Sequence, residues 1–464
     1  LAVDESEAFL RSIIEDDEAT ISPSSSDESG GFRPGRQYDK MPMCDLQLKA
    51  QGLHKEFIIT PATSEGAPRK VREAAAELAR LGPQGSHMAR SQRMKRLRRE
   101  AQELQLLDDR QRATLHANIQ RVLDEAGPTG SHLAFLEHVL QQTEYEDKKD
   151  LLLDLKRGFP LYGVVPTGSA KPRLVRRATT TPSEVRKSAE VRWRQCLTAC
   201  ERARTDGEDS VLHDISEQTR SDQQAGRMGQ PRELDRTQPC PTRRFGVRQL
   251  TSKGSWKIRC IDDFNASGIN DCCHIIGRLR MGRITDLVDA TRILLEAHPG
   301  TQLVIFKSDF QAAYRRVPLR PQHHLYADVV YYDTTLQRLV VSRQFAMPFG
   351  AVAAVYGWDR VADALSHVLM VILAIPVVRY VDDLFGACFA VHAEELRDMI
   401  LELMAMCGFT LDPQKTPLPA PTQTILGIEC RLYSGYRRQQ ANYAYITARL
   451  DTAKTEVRIE MING

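Results

Sequence analysis

The pair Asp382-Asp383 constrains this chain more than any other feature, because it stands between two short apolar runs, residues 375–378 and 384–391. Both runs are rich in β-branched or aromatic residues and too short for a convincing helix. They predict a strand, a tight turn and a second strand, with the acids at the tip. Adjacent carboxylates repel each other and raise each other's pKa, so the pair favours a divalent cation as its partner. A solvated turn is the competing interpretation, because Asp-Asp pairs are common in turns.

A further acid upstream favours the cation site. Residues 303–310 have the pattern of a buried strand that carries Asp309 near its end, and residues 311–317 can then turn helically. Three aspartates at the ends of two neighbouring strands would make a site for two magnesium ions. Such a site is the equipment for in-line phosphoryl or nucleotidyl transfer.

Five short motifs resemble, in order and spacing, the palm of a reverse transcriptase from a retroelement. They are Asp309 with Tyr314, Met347-Pro348-Phe349-Gly350, Tyr380-Val381-Asp382-Asp383, Leu411-Asp412-Pro413-Gln414-Lys415 and Ile425-Leu426-Gly427. Any one of these patterns arises by chance, but five in family order over roughly 120 residues are a strong signal. The resemblance covers residues 245–432 and says little about the first 150 residues.

The resemblance implies an α+β fold, a right-hand polymerase with an antiparallel palm sheet backed by helices. It also implies fingers before the palm, a helical N-terminal extension and a truncated thumb. The expected divisions are a largely disordered segment 1–70, a helical extension 71–204 of unknown role, fingers 205–300, palm 301–432 and the start of a thumb 433–464.

The activity that the resemblance implies is RNA-directed DNA synthesis as part of a retrotransposon. Deoxynucleotides would be added to the 3′-hydroxyl of a DNA or RNA primer on an RNA template. Asp309, Asp382 and Asp383 would be the catalytic residues. They would also hold two Mg²⁺ ions, or Mn²⁺ as an alternative, together with the backbone carbonyl of Phe310.

The same resemblance assigns residues that bind the nucleotide. Tyr314 would exclude a ribose 2′-hydroxyl, with a core tyrosine as the competing interpretation. Arg259, in a basic hairpin of residues 243–263, would grip the triphosphate through its planar fork, with Lys253 or Lys257 as a partner. Phe349 stands where many reverse transcriptases have glutamine.

The remaining expected roles concern close approach, proton transfer and the primer. Gly350 would let template and nucleotide approach the backbone closely. Lys415 would protonate the departing pyrophosphate, with a solvated loop lysine as an equal alternative. Leu426 and Gly427 would form part of the primer grip.

Two alternative functions stay open. One is a decayed retroelement fragment that binds nucleic acid without catalysis. The other is an RNA-dependent RNA polymerase, which the aromatic Tyr314 disfavours. Because the chain starts at Leu1 and stops shortly after the fifth motif, we expect a fragment of a longer polyprotein.

The formal net charge of +3 means that nucleic-acid affinity must come from local clusters. The densest basic run lies on a helix predicted over residues 88–107, after a helix over 71–81 and before a third over 110–125. It either touches template phosphates or forms a solvated face or localisation signal. The run comprises Arg90, Arg93, Lys95, Arg96, Arg98 and Arg99.

The remaining expectations are coarser. Residues 205–244 are polar and predict a loop or mobile finger, and residues 436–464 predict the first thumb helix. The most apolar window, residues 368–378, is too short to span a bilayer. No secretion signal is visible, so we expect an intracellular protein of the nucleus or cytoplasm, with free thiols at its ten cysteines.

Overall fold

The structure is a computed structural model, and it describes part of the chain. The described residues are 57–59, 66–124, 132–166, 168, 174–206, 209–250, 256–277, 279, 281–433 and 445–450.

The α-helices of the described residues lie mainly before and between the strands. They are α1 (Arg69–Ala113), α2 (Ala117–Asp124), α3 (Leu133–Gln142), α4 (Lys148–Arg157), α5 (Pro182–Lys187), α6 (Ala189–Asp206), α7 (Asp209–Gln224), α8 (Ile284–Ala297), α9 (Val352–Leu373) and α10 (Ala393–Met406). Short 3₁₀ helices are found at Asn270–Cys272, Ala313–Arg316, Pro321–Tyr326 and Pro413–Lys415.

The strands are short. They are β1 (Phe57–Ile59), β2 (Gly163–Pro166), β3 (Leu174–Arg176), β4 (Pro241–Leu250), β5 (Trp256–Asp262), β6 (Cys273–Ile276), β7 (Leu303–Asp309), β8 (Asp328–Asp333), β9 (Arg338–Arg343), β10 (Val378–Tyr380), β11 (Asp383–Phe389), β12 (Thr422–Ile425), β13 (Ile428–Tyr433) and β14 (Tyr445–Leu450). Within the described ranges they form four small sheets, in the orders β1-β14-β13-β12, β10-β11-β7, β2-β6-β3 and β5-β4-β8-β9. This mixture of helices and small sheets is compatible with the expected α+β class.

The sheet β10-β11-β7 is antiparallel throughout, and its apolar residues explain its position. All residues of β11 after Asp383 are buried, as expected of a central strand covered on both faces. Gly386 is required there, because a Cβ atom at this position would lie 2.1 Å from the carbonyl oxygen of Pro376. The nearly all-apolar α9 packs beside β10, and α8 packs on β11.

The helix α1 confirms one sequence prediction and corrects another. The predicted break after residue 81 is confirmed at Gly82, whose φ of +69° and ψ of 179° are not helical, although the helix resumes at Pro83 rather than at residue 88. The predicted third helix from residue 110 was wrong at its start, because α1 continues to Ala113 and α2 begins at Ala117.

The basic run on α1 contacts protein, not solvent alone. Arg90 is 4% exposed and donates to the Leu373 carbonyl at 2.6 Å, while Arg93 donates to the Ile372 carbonyl at 3.0 Å. These carbonyls end α9, where cations are favoured because the last carbonyls lack partners within the helix. A template contact and a solvated face were therefore both wrong for Arg90.

Two further segments differ from the prediction. Residues 205–244 contain α7, whose buried Ile215 and Thr219 form a narrow stripe against the hairpin of β4 and β5. So few apolar residues gave too weak a helical pattern. Where the structure describes the predicted thumb helix, it has the strand β14, which pairs with β13. Residues 436–444 and 451–464 lie outside the described residues.

The structure also bears on the remaining, coarser predictions. The strand β1 lies within the segment 1–70 that was expected to be largely disordered, and the rest of that segment before residue 66 lies outside the described residues. The nine cysteines that the structure describes are all free thiols. Among the described residues, no helix has both the length and the apolar character needed to cross a membrane. The division into extension, fingers, palm and thumb stays a prediction.

Candidate active site

The three predicted acids meet at one end of the sheet β10-β11-β7. Asp383 opens β11 and stands directly opposite Asp309, the last residue of β7. Asp382 lies in the turn between β10 and β11, and its carbonyl oxygen accepts a hydrogen bond from the Phe310 N–H at 3.2 Å. The predicted strand, turn and strand with acids at the tip is confirmed.

The turn that carries Asp382 has a strained backbone, and hydrogen bonds from Trp358 and Arg379 stabilise it. Val381 has a φ of +54°, which is unfavourable for a β-branched residue. Its carbonyl accepts hydrogen bonds from Trp358 Nε1 at 3.1 Å and from the Arg379 guanidinium at 3.5 Å. Arg379 also binds Asp359 at 2.5 Å. This support fixes the turn although its backbone conformation is costly.

Sequence reasoning missed Trp358, Asp359 and Arg379. A signal was present, because Asp359 is one of three charged residues, with Arg360 and Asp363, in the otherwise mostly apolar helix α9. A charge in such a helix is rarely buried without a partner. The partner itself lies in β10 and follows only from the fold.

The pKa values of two of the acids, Asp309 and Asp382, are raised, as expected when carboxylates lie together without enough positive charge beside them. Burial, and then the nearby Asp382 carboxylate, raise the pKa of Asp309 above its ordinary value. Burial and Asp383 likewise raise the pKa of Asp382. Negative charge is therefore unfavourable here unless a cation approaches.

Lys415 partly supplies that cation. Its Nζ lies 3.0 Å from Asp309 Oδ1 and 3.9 Å from Asp412 Oδ2. Burial alone would lower the pKa of Lys415, but the two carboxylates outweigh it and raise the pKa. The fourth motif thus reaches the first.

The acids offer the oxygen ligands that Mg²⁺ prefers, carboxylates and a neighbouring backbone carbonyl. Within the part of the chain that the structure describes, however, no group of three His, Cys, Asp or Glu side chains is arranged to bind a metal. In this arrangement the Lys415 ammonium bonds Asp309. The donor chemistry fits the ion, and the side chains would need to reorient around it.

Tyr314 lies beside the acids and against Phe349. The two rings meet edge to face, with centroids 5.4 Å apart. Burial and the nearby Asp382 carboxylate raise the pKa of the Tyr314 phenol, so its hydroxyl stays protonated. The structure therefore brings together the first, second and third motifs.

Gly350 makes a close contact within the chain. Its φ is +100°, and a Cβ atom there would lie 2.1 Å from the carbonyl oxygen of Asp262. The Asp262 N–H donates to the Phe349 carbonyl at 3.0 Å. The glycine thus admits the chain's own β5 backbone, which the sequence analysis had not foreseen.

Arg259 is an exposed residue of β5 and donates to the side chain of Gln249. Its positive charge is one of those that act on the Asp382 carboxylate and on Tyr314. The antiparallel pairing of β4 with β5 confirms the predicted hairpin. Of its two candidate partners, Lys257 is exposed, and Lys253 lies outside the described residues.

Leu426 and Gly427 form the two-residue turn between β12 and β13. Both have positive φ, +51° and +77°, as the tightest hairpin turns require. With Asp383 and Lys307 they line a small pocket of about 80 Å³. The Lys307 ammonium donates to the Thr424 carbonyl at 2.8 Å in the same pocket.

Comparison with known proteins gives little support to any family. No protein-family model and no curated protein sequence matches the chain. Among solved structures, the chain is similar to a foamy viral protease–reverse transcriptase in complex with double-stranded DNA. The TM-score is 0.35 and the identity 15%, over 47% of this chain and 34% of that one. The chain thus spans about a third of that protein, and a match of this quality does not establish a shared fold.

Proposed function

We propose that this chain is an RNA-directed DNA polymerase of a retrotransposon. The observation that carries the proposal is the meeting of Asp309, Asp382 and Asp383 at one sheet end, where burial and like charge raise the pKa of two of them. A site that accumulates negative charge next to an aromatic pair suits a nucleotide with its metal ions.

Each residue has a definite part in this proposal. Asp309, Asp382 and the Phe310 carbonyl would hold two Mg²⁺ ions, supported by Asp383. The ions would lower the pKa of the primer 3′-hydroxyl and neutralise the leaving pyrophosphate. Lys415, released from Asp309, would donate a proton to that leaving group.

Substrate choice follows from the walls of the site. The rings of Tyr314 and Phe349 would occupy the space of a 2′-hydroxyl, which favours deoxynucleotides. Arg259 would bind the triphosphate with two parallel hydrogen bonds. Leu426 and Gly427 would place the primer end near Asp383.

Primer extension on an RNA template with deoxynucleotides tests the proposal. We expect the Asp382→Asn variant to lose about 10³-fold or more of the activity, because charge stabilisation of the transition state is removed. Asp398→Asn is the matched control, since Asp398 is an aspartate whose side chain is 70% exposed on α10. Robust synthesis by the Asp382→Asn variant would contradict the mechanism, and faster incorporation of ribonucleotides would indicate an RNA polymerase.

The Lys415–Asp309 ion pair favours a second candidate, a nucleic-acid-binding protein without catalysis. In that case the lysine would be the lasting partner of the acid, at 3.0 Å. Salt-sensitive binding to an RNA–DNA duplex, with no extension at any Mg²⁺ or Mn²⁺ concentration, would support this alternative.

A further inference from the structure

Arg315 is a buried arginine directly after Tyr314, and the proposed chemistry does not use it. Its side chain is 3% exposed. One terminal nitrogen donates to Asp222 Oδ2 at 3.0 Å. The other donates to Gln344 Oε1 at 2.8 Å and to the Met347 carbonyl at 3.2 Å. The guanidinium therefore links the turn that carries Tyr314 to α7 and to the segment of residues 344–347.

The same hydrogen bonds continue into the hairpin of β4 and β5. Gln344 Nε2 donates to Asp262 Oδ2 at 2.6 Å, and Arg244 binds the same carboxylate through hydrogen bonds of 2.8 and 3.1 Å. The Asp262 backbone N–H donates in turn to the Phe349 carbonyl. One connected set of buried bonds thus fixes the segment of Phe349 against the strand of Arg259.

Asp222 is the acid at the centre of this network. Its carboxylate lies 3.0 Å from Arg315, 3.1 Å from Arg227 and 3.8 Å from Arg244. Burial alone would raise the pKa of Asp222, but the three guanidinium groups together lower it. The helix α7, which contributes Asp222, lies outside the five motifs. Through this network it holds Tyr314 of the first motif and Phe349 of the second motif in place.

We propose that Arg315, Asp222, Gln344 and Asp262 are positioning residues that set the discrimination against ribonucleotides. They fix Tyr314 against Phe349, whose ring centroids are 5.4 Å apart. This inference rests on the proposed polymerase function. Exclusion of a single hydroxyl by shape depends on sub-ångström placement, so loosening the anchor admits the hydroxyl without removing either ring.

The test compares kcat/KM for a deoxynucleotide with kcat/KM for the matching ribonucleotide in Arg315→Lys. Lysine keeps the charge, but its single ammonium cannot span all the acceptors of the guanidinium. We expect the deoxy-to-ribo ratio to fall by about tenfold, because small misplacements of binding groups have large kinetic effects. The deoxynucleotide KM should rise more than its kcat falls.

The adjacent Arg316→Lys variant is the matched control. Arg316 is similarly buried, and it donates to Thr410 Oγ1 at 2.6 Å and to the Gly408 carbonyl at 3.1 Å, neither of which belongs to the network. It should keep the wild-type ratio. If Arg315→Lys does not fold, Asp222→Asn tests the same anchor from α7, with the same direction of change.

Coupling gives a second readout. In a Tyr314→Ala background the ring is absent, so Arg315→Lys should change the ratio no further. Equal loss for both nucleotides, or an unchanged ratio in both network variants, would overturn the inference. Absence of any extension by the wild type would instead overturn the proposed function, so the two failures are distinguishable.

Discussion

The acidic turn and the arginine network are both buried groups of charge, but they are balanced in opposite ways. At Asp309 and Asp382, carboxylates lie together and the pKa of each is raised. At Asp222, three guanidinium groups surround one carboxylate and its pKa is lowered. Ionising both Asp309 and Asp382 is unfavourable unless a cation is present. Asp222, in contrast, is ionised and is paired with guanidinium groups of the protein itself.

This difference separates a binding site from an internal support. A buried ion pair that satisfies itself has no need of a ligand, and removing one member leaves an uncompensated charge. A cluster of like charges stores unfavourable energy that a ligand of opposite charge releases. The two groups are therefore expected to respond to substitution with opposite signs of stability change.

The largest expected effect is on the arginine network. Asp222→Ala should lower the free energy of unfolding by about 3–5 kcal/mol, because it leaves the buried Arg315 without its carboxylate. Denaturant unfolding measures the change. Asp398→Ala, at an exposed position on α10, should stay within about 0.5 kcal/mol of the wild type. A loss below about 1 kcal/mol for Asp222→Ala would mean that the network is not a support.

A smaller effect is expected from metal ions at the acidic turn. Mg²⁺ at a hundred times its Kd should stabilise the protein by about 2.7 kcal/mol, because binding to the folded state alone shifts the equilibrium. Thermal melts with MgCl₂ and then with EDTA measure the gain and its reversal. Asp382→Asn should abolish the shift, while Asp222→Asn should keep it. An equal shift in Asp382→Asn would place the ion elsewhere.

The sequence predicted the acidic turn better than the network because the turn is local. Asp382 and its two flanking strands lie within residues 378–389, so the apolar composition of two short neighbouring runs is enough to predict them. Asp309 lies 73 residues upstream of Asp382, and its approach was inferred from the buried-strand pattern of residues 303–310 together with the resemblance. The register of β7 with β11 confirms that step.

The network could not be predicted in this way. Asp222 lies in a polar stretch whose helical stripe is too narrow to see, and its partner Arg315 is 93 residues away. In the sequence, a basic residue looks the same whether its side chain is exposed to solvent or donates to a backbone carbonyl. Arg90 shows this, because it belongs to a run that suggested nucleic-acid contact, yet its side chain donates to the Leu373 carbonyl at the end of α9. Long-range pairing of charges depends on the fold, not on local spacing.

The finest distinction between the two regions is the pH dependence of Asp382→Asn. The folded-state pKa of Asp382 is raised above the value of 3.8 for an unperturbed aspartate. A raised pKa means that protonated Asp382 favours the folded state. The wild type therefore has the full stability contributed by this residue below about pH 3.8, and loses that stability as pH rises through the folded pKa. Without metal at pH 7, asparagine should stabilise the protein and raise its Tm, because it removes a buried carboxylate whose ionisation is unfavourable there. The gain should vanish near pH 3.5, below the pKa of the unfolded side chain. Melts in EDTA across that range measure it, and a variant less stable than the wild type at pH 7 would show that the turn is already neutralised within the protein.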